Sequence, residues 1–308
     1  MANIAFIFDG RKKNNKIYFL ESEKCFGNNH SLKMFATEFS GHATQLAIQA
    51  LKEGFTHIIC LSGDGMLNEV VNGLMVFTRG INDDLQKTLR LGVLPMGTGN
   101  DFIKTVHAPE NIEGLKKAIE TDSFKKIDVG LVDFYLKSGE EKNRYFINIT
   151  DIGMGGVVVE KTSRYSARPG LMPNYQRAIL STFFTYKKRL VKVKTDCFDF
   201  EGNIMNLVVA NGKYFGGGLG IAPGADPTDG HFSVVILGDI SIFDYLKNLR
   251  KVRKCREITI PGVQYKIAKE IYIESLSGKM PIDMDGEFIG FSPMKVSMIP
   301  AALGFLCK

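Results

Sequence analysis

The stretch "HIICLSGDGMLNEVVNGL", His57 to Leu74, decides how the chain is read. Four apolar residues, Ile58 to Leu61, run into Ser62-Gly63-Asp64-Gly65, and an apolar-periodic segment follows. The apolar run predicts a buried strand and the periodic segment predicts a helix. Glycines around an acid at that junction expose successive backbone N–H groups where the helix begins. The partial positive charge of the helix N-terminus adds to them, and the product is an anion cradle whose usual occupant is phosphate.

Working outward, "NIAFIF" at Asn3–Phe8 reads as a first buried strand, and "GHATQLAIQALKEG" as a helix ending at Gly54. Downstream, "LRLGVLP" is a strand halted by Pro95, and "NDFIKTV" opens another helix. Strands alternating with helices imply βαβ units and a parallel sheet, which binds ligands beyond the carboxyl ends of its strands. A second glycine-rich turn, "MGTGN", lies at such an end. There Gly97 and Gly99 relax the backbone, Thr98 offers a hydroxyl, and Asn100 or Asp101 can cap the helix. One such turn alone reads equally well as a glycine-shaped loop with a capping acid. Two on successive strand ends, both carrying an acid, point to a nucleotide, with a divalent metal between acid and phosphate.

From about Tyr145 the pattern changes. The segments "RYFINIT", "RLVKVKTD", "IMNLVVANG", "HFSVVILG", "REITI" and "EIYIES" read as strands. Helices interrupt them near "NYQRAILSTFFTYKKR" and "SIFDYLKNLRKVRKCRE". The expected fold class is an α/β N-terminal domain with a parallel sheet, then a C-terminal antiparallel β-rich sandwich or barrel. The composition shift at 130–144 marks the boundary. In the second helical segment Phe243, Leu246 and Leu249 interleave with Lys247, Arg250, Lys251, Arg253, Lys254 and Arg256. Its expected place is on the sandwich, apolar stripe inward and basic face in water; the other reading is a helix lying on an anionic bilayer. Phe183 and Phe184 read either as core or as the lining of an acyl cleft.

A chain of 308 residues with 44% apolar content can bury the cores of roughly two domains. The net charge of +6 favours anionic partners but is too small to suggest nucleic acid, so none is expected. The five cysteines are scattered and never spaced as C-x-x-C, which argues for reduced thiols, a cytoplasmic setting and no zinc cage. No apolar run reaches membrane-spanning length. The P-loop pattern, the dinucleotide fingerprint at strand–helix junctions, and the protein-kinase H-R-D and D-F-G motifs are absent.

"SGDGMLNEVVNGL" followed by "LGVLPMGTGNDF" resembles the diacylglycerol kinase catalytic family. That family includes bacterial lipid kinases, sphingosine kinases and ceramide kinases, and is distantly related to NAD kinases. The resemblance continues in order through "TEFSGHATQLA", "FINITDIGMGG", "VVANGKYFGGGLGIAPGADPTDGHFSVVIL" and "DMDGE", and so spans almost the whole chain. It implies ATP and Mg²⁺ as cofactors. It places the ATP phosphates on Ser62, Gly63, Asp64, Gly65, Met66, Leu67 and Asn68, with Gly97, Thr98, Gly99 and Asn100 beside them. Thr37 and Thr98 would add hydroxyl contacts. Asp226, Asp229 and His231 match a structural magnesium site, His231 through its main-chain carbonyl. Glu287 matches the residue proposed as general base, and Asp64, Asp101 and Asp128 match acids that organise metal and water.

The resemblance also implies a domain division. Residues 1–133, joined by a returning 295–308, would form the ATP-binding domain, and 134–294 the β-rich domain with the metal loop and the lipid acceptor. The expected acceptor is a lipid hydroxyl, diacylglycerol or a relative, met at the membrane surface. The oligomeric state stays open, a homodimer included. Three departures stand out: Ser62 and Met66 replace the family's Gly and Thr, and "FDGRKKNNK" lacks the Asn and Pro of the N-terminal nucleotide loop. Arg11, Lys12 and Lys13 would offset the last by meeting phosphate directly. The alternatives are an NAD kinase-like enzyme and a non-catalytic nucleotide- or lipid-binding regulator.

Overall fold

The structure, a computed structural model, describes residues 2–11, 15–26, 30–79, 87–97, 99–165, 181–182 and 185–308. Thr98, Lys12, Lys13, Phe183, Phe184 and most of "NYQRAILSTFFTYKKR" lie outside them. The chain forms two compact units, Met1–Val129 with Pro300–Lys308, and Gly130–Ile299. Both boundaries fall inside strands.

The first unit runs β1 (Asn3–Asp9), α1 (Asn15–Phe26), β2 (Ser31–Thr37), α2 (His42–Lys52), β3 (His57–Ser62), α3 (Asp64–Thr78), β4 (Arg90–Pro95), α4 (Asp101–Val106) and α5 (Ile112–Glu120). β5 (Phe124–Tyr135) leads into the second unit. The strands pair in the order β4-β3-β1-β2, all parallel. Ile4, Phe6, Ile59, Leu61 and Leu94 are buried as the apolar runs require, and pack with Leu115 of α5. Register matters most at the carboxyl tips. β3 pairs with β4 so that Ser62 lies opposite Pro95, which brings the two glycine-rich turns side by side. α2 and α3 approach closely through Gly73, where a Cβ would lie 2.5 Å from the Thr44 carbonyl oxygen.

The second unit continues with β6 (Glu141–Phe146), β7 (Ile149–Gly153), α6 (Met154–Tyr165), β8 (Arg189–Thr195), β9 (Asp199–Ile204), β10 (Asn206–Ala210), β11 (Tyr214–Phe215), β12 (Leu219–Gly220) and β13 (Phe232–Leu237). It ends with α7 (Ile242–Arg253), β14 (Val263–Ala268), β15 (Glu270–Ser275), β16 (Pro281–Met284) and the long β17 (Glu287–Leu306). Pairing is antiparallel, in the order β14-β13-β10-β7-β16-β17. β17 leaves this unit at Ile299, and its last residues pair parallel with β4, Gly304 opposite Arg90. The fold is therefore an α/β unit and an antiparallel β-rich unit, as expected.

Two segments depart from expectation. "REITI" forms no strand. Its backbone is spent elsewhere: the Arg256 N–H donates to the Lys251 carbonyl and the Ile258 N–H to the Tyr265 hydroxyl. α7 does not turn all its apolar residues inward. Val252 is buried and Leu249 packs on the core, but Phe243 and Leu246 are exposed. β2 and α1, which no sequence signal singled out, complete the first unit. Among the described residues no helix is long and apolar enough to cross a membrane.

Candidate active site

In the first unit, three helices start at the carboxyl tips of the sheet, and their N-termini are treated differently. α2 begins at Gly41, in the left-handed region at φ 86°, with no side-chain cap of its own. Its amides are met from α3: Glu69 accepts the N–H of Gly41 at 2.8 Å and of Ala43 at 3.1 Å. α4 is likewise met from α3. The Asp64 carboxylate accepts the N–H of Asp101 at 3.0 Å and of Phe102 at 3.3 Å. α3 supplies both carboxylates, yet its own start at Gly63 has no side-chain cap. The first-turn amides of a helix have no intrahelical partner, so this N-terminus, without a side-chain cap among the described residues, presents its donors together with its positive dipole end.

The adjoining turns are built around this point. A Cβ on Gly97 would lie 2.6 Å from Gly63 Cα, so the two turns touch backbone to backbone. Asn100, at φ 51°, closes the second turn on itself. Its Oδ1 accepts the Gly97 N–H at 3.2 Å and its Nδ2 donates to the Gly97 carbonyl at 2.6 Å. Lys104 donates to the Gly99 carbonyl and pairs with Asp101, both at 2.9 Å. The Gly97 amide and the start of α4 are therefore occupied by the protein's own groups, and of these three helix starts the α3 start at Gly63 is the one left without a side-chain cap among the described residues. Asp101 and Asp128 are both buried, and Asp128 accepts the Ala301 N–H at 2.7 Å. Thr37 is buried, its carbonyl accepting the Gly10 N–H at 3.0 Å. Met66 is half-buried, and Leu67 and Asn68 are buried along α3.

In the second unit, Asp285 and Gly286 form the two-residue loop between β16 and β17, at φ 49° and 86°. Asp-Gly is the pair that such primed hairpin turns favour. The Asp285 carboxylate accepts three backbone N–H groups, from Ile147 at 3.2 Å, Asn148 at 3.2 Å and Ile149 at 2.9 Å. This fastens the hairpin, and Glu287 is the first residue after it. Arg144 lies 2.8 Å from the Glu287 carboxylate. Asn148 Oδ1 is buried and has no hydrogen-bond partner among the described residues, while its Nδ2 donates to the Tyr214 carbonyl.

Asp226, Asp229 and His231 share one turn before β13. Asp226 Oδ1 accepts from the N–H and hydroxyl of Thr228, and Asp229 Oδ1 accepts the His231 N–H. His231 Nδ1 donates to the Asp229 carbonyl at 2.9 Å, so that nitrogen carries a hydrogen and is no metal ligand. The donor types left over, carboxylate and carbonyl oxygens, suit a hard cation such as magnesium. Among the described residues no cluster of three or more His, Cys, Asp or Glu side chains converges on a point.

Beneath this region lies a buried carboxyl pair. Asp151 on β7 sits opposite Asp283 on β16. Asp151 is 1% exposed, and neither of its oxygens has a hydrogen bond of normal geometry, Asn206 and the Gly156 N–H being its polar neighbours. Burial pushes its pKa up to about 7. Burial, then the charge of Asp151, raises Asp283 well above the usual carboxylate range. Between the unfolded value and about pH 7 the folded state holds a proton that the unfolded state has released. Stability from this pair is full at low pH and declines as pH rises through that window. Asp151→Asn should therefore raise the thermal midpoint at pH 8 by roughly 5 °C and change it far less at pH 5. A variant-minus-parent difference that is equal at both pH values would remove the pair from this role.

Two family models cover the chain. The diacylglycerol kinase catalytic domain matches residues 4–132 and the YegS C-terminal NAD kinase beta sandwich-like domain matches residues 148–307. A diacylglycerol kinase of Staphylococcus haemolyticus is 31% identical over 260 residues, covering 84% of this chain and 73% of that protein. The chain belongs to the diacylglycerol kinase catalytic family. A diacylglycerol kinase of Staphylococcus aureus is 28% identical over 269 residues, covering 84% of this chain and 76% of its own. Among solved structures, a diacylglycerol kinase from Bacillus anthracis superposes with a TM-score of 0.71 at 19% identity, covering 99% of this chain and 97% of that one. Yeast NADH kinase, solved with NADH, superposes at 0.52 and 8% identity, covering 100% of this chain and 84% of that one. Both structural likenesses concern the fold, and they agree with the distant tie to NAD kinases.

Three residues at the site escaped the sequence reading: Glu69, Arg144 and Asp285. Asp285 had a legible signal, an Asp-Gly pair between apolar segments. The other two act through partners far away in sequence.

Proposed function

We propose that the protein is an ATP-dependent kinase that transfers the γ-phosphoryl group to a lipid hydroxyl, diacylglycerol or a close relative. The observation that carries this reading is the uncapped N-terminus of α3 at the Gly63–Gly97 contact, flanked by two helices whose N-termini α3 itself has capped. An anion there meets donors that no described side chain caps.

In this reading Ser62 to Asn68 hold the phosphates through backbone amides, with Gly97, Gly99 and Asn100 as the neighbouring wall, and Thr37 and Thr98 would add hydroxyl contacts. Asp64 braces that wall through α4. Asp226, Asp229 and the His231 carbonyl would hold a structural Mg²⁺, whose contribution is to fix the turn that leads into β13. Asp101 and Asp128 orient the polar groups around the phosphates. Glu287 accepts the proton of the attacking hydroxyl as the oxygen bonds to the γ-phosphorus and ADP leaves. The fixed hairpin under Glu287 supports this role, because a base works best when its position is set in advance.

ADP release should appear with diacylglycerol in mixed micelles, with a product heavier by one phosphate. NAD and a panel of other lipids serve as parallel acceptors. Turnover with NAD alone would make the protein an NAD kinase-like enzyme. ATP binding without turnover on any acceptor would make it a regulator, a reading that Ser62 and Met66 at family Gly and Thr positions favour.

A further inference from the structure

The second unit carries a helix face that no described residue covers. α7 is fixed at its start by a capping box. Ser241 Oγ accepts the Asp244 N–H at 3.1 Å, and the Asp244 carboxylate accepts the Ser241 N–H at 3.2 Å. Val252 and Leu249 anchor one side on the core shared with β10 and β13. The rotation of the helix about its axis is thereby set.

On the adjoining, outward side lie Phe243, Leu246, Lys247, Arg250 and Arg253, and the C-cap Lys254 continues the row. Their spacing of i, i+3, i+4, i+7 and i+10 places them on one stripe. All are exposed, Phe243 by 71% and Leu246 by 49%. The one carboxylate of the helix, Asp244, is held by Ser241 at the flank. Among the described residues, no carboxylate lies within ion-pair distance of Lys247, Arg250, Arg253 or Lys254.

An aromatic and a leucine standing together in water call for a covering partner. The surrounding cations restrict what that partner can be. A second copy is disfavoured, because a two-fold contact through this stripe would set the same cations against each other. An anionic bilayer satisfies both halves at once. The apolar tips enter the acyl boundary, and the Lys and Arg stems lie along it with their charged ends at lipid phosphates. We propose that α7 docks the protein on an anionic bilayer. This goes beyond the assignment of a lipid acceptor and does not depend on it, since docking requires no turnover.

The test is co-sedimentation of the full chain, without nucleotide, with vesicles of phosphatidylcholine alone or mixed with phosphatidylglycerol. The expected result is binding to the mixed vesicles, weakened by salt, and little binding to phosphatidylcholine. Replacing Lys247, Arg250 and Arg253 together with Glu should weaken it on the order of 100-fold. Phe243→Ser with Leu246→Ser should weaken it about tenfold or more. Thermal midpoints should match the parent, because the altered side chains are exposed. Parent-like binding by either variant, equal binding to both vesicles, or no binding by the parent would overturn the proposal. So would a lowered midpoint in the variants, or a dimer in light scattering that the Phe243/Leu246 variant breaks; the latter would identify a second copy as the occupant.

Discussion

Replacing Glu287 with glutamine is expected to slow acceptor-dependent transfer by about 10²–10⁴-fold and to leave nucleotide binding intact. Gln has the same length and still reaches Arg144, so the hairpin keeps its form, but the amide cannot take a proton from a hydroxyl. The surroundings already hold the carboxylate in place. Arg144 lies 2.8 Å away, and the Asp285 turn is fastened by three amides from the β6–β7 connection. The loss should appear in kcat at unchanged KM for ATP, the signature of an interaction made in the transition state alone. Parent-like turnover would remove Glu287 from the role of base.

Gly97→Ala should act on the other substrate. The added Cβ would lie 2.6 Å from Gly63 Cα and 2.9 Å from Asn100 Oδ1. The first neighbour is backbone and cannot swing aside. The two turns must separate, and the start of α3 at Gly63 shifts away from the second turn. Displacements of this kind cost about 100-fold in catalysis. Titration calorimetry with a non-hydrolysable ATP analogue should show the matching loss of affinity. Unaltered affinity would place the phosphates away from the Gly63–Gly97 contact.

Much of this arrangement was legible in the residues, for reasons that also mark where legibility stopped. Apolar runs ending in glycine turns reported the parallel sheet, since a strand buried on both faces has little choice of composition. The turns led to the expectation of an anion site because their glycine content is a local property, and the structure brings those turns together at the Gly63–Gly97 contact. The direction of a side chain is not local. Asp64 was expected beside metal and phosphate, and its pairing with the amides that open α4, 37 and 38 residues away, was not legible. Glu69 serves α2 across a gap of 28 residues in sequence, and Asp285 serves amides more than 130 residues away. Such pairings are set by sheet register. α7 shows the same limit from the other side. Its periodicity gave one amphipathic helix, but only the position of its anchors, Val252 and Leu249, decided that Phe243 and Leu246 face outward.

β17 ties the order of synthesis to the order of assembly. Its final residues form the parallel strand beside β4, yet they leave the ribosome only after the whole of Gly130–Ile299. The first unit emerges early and must wait with one flank of β4 unpaired. An unpaired strand flank invites pairing with other chains. During translation the growing polypeptide carries that exposure throughout the making of the second unit. The flank of β4 at Arg90 and Leu91 is thus among the last edges of the nascent molecule to be paired.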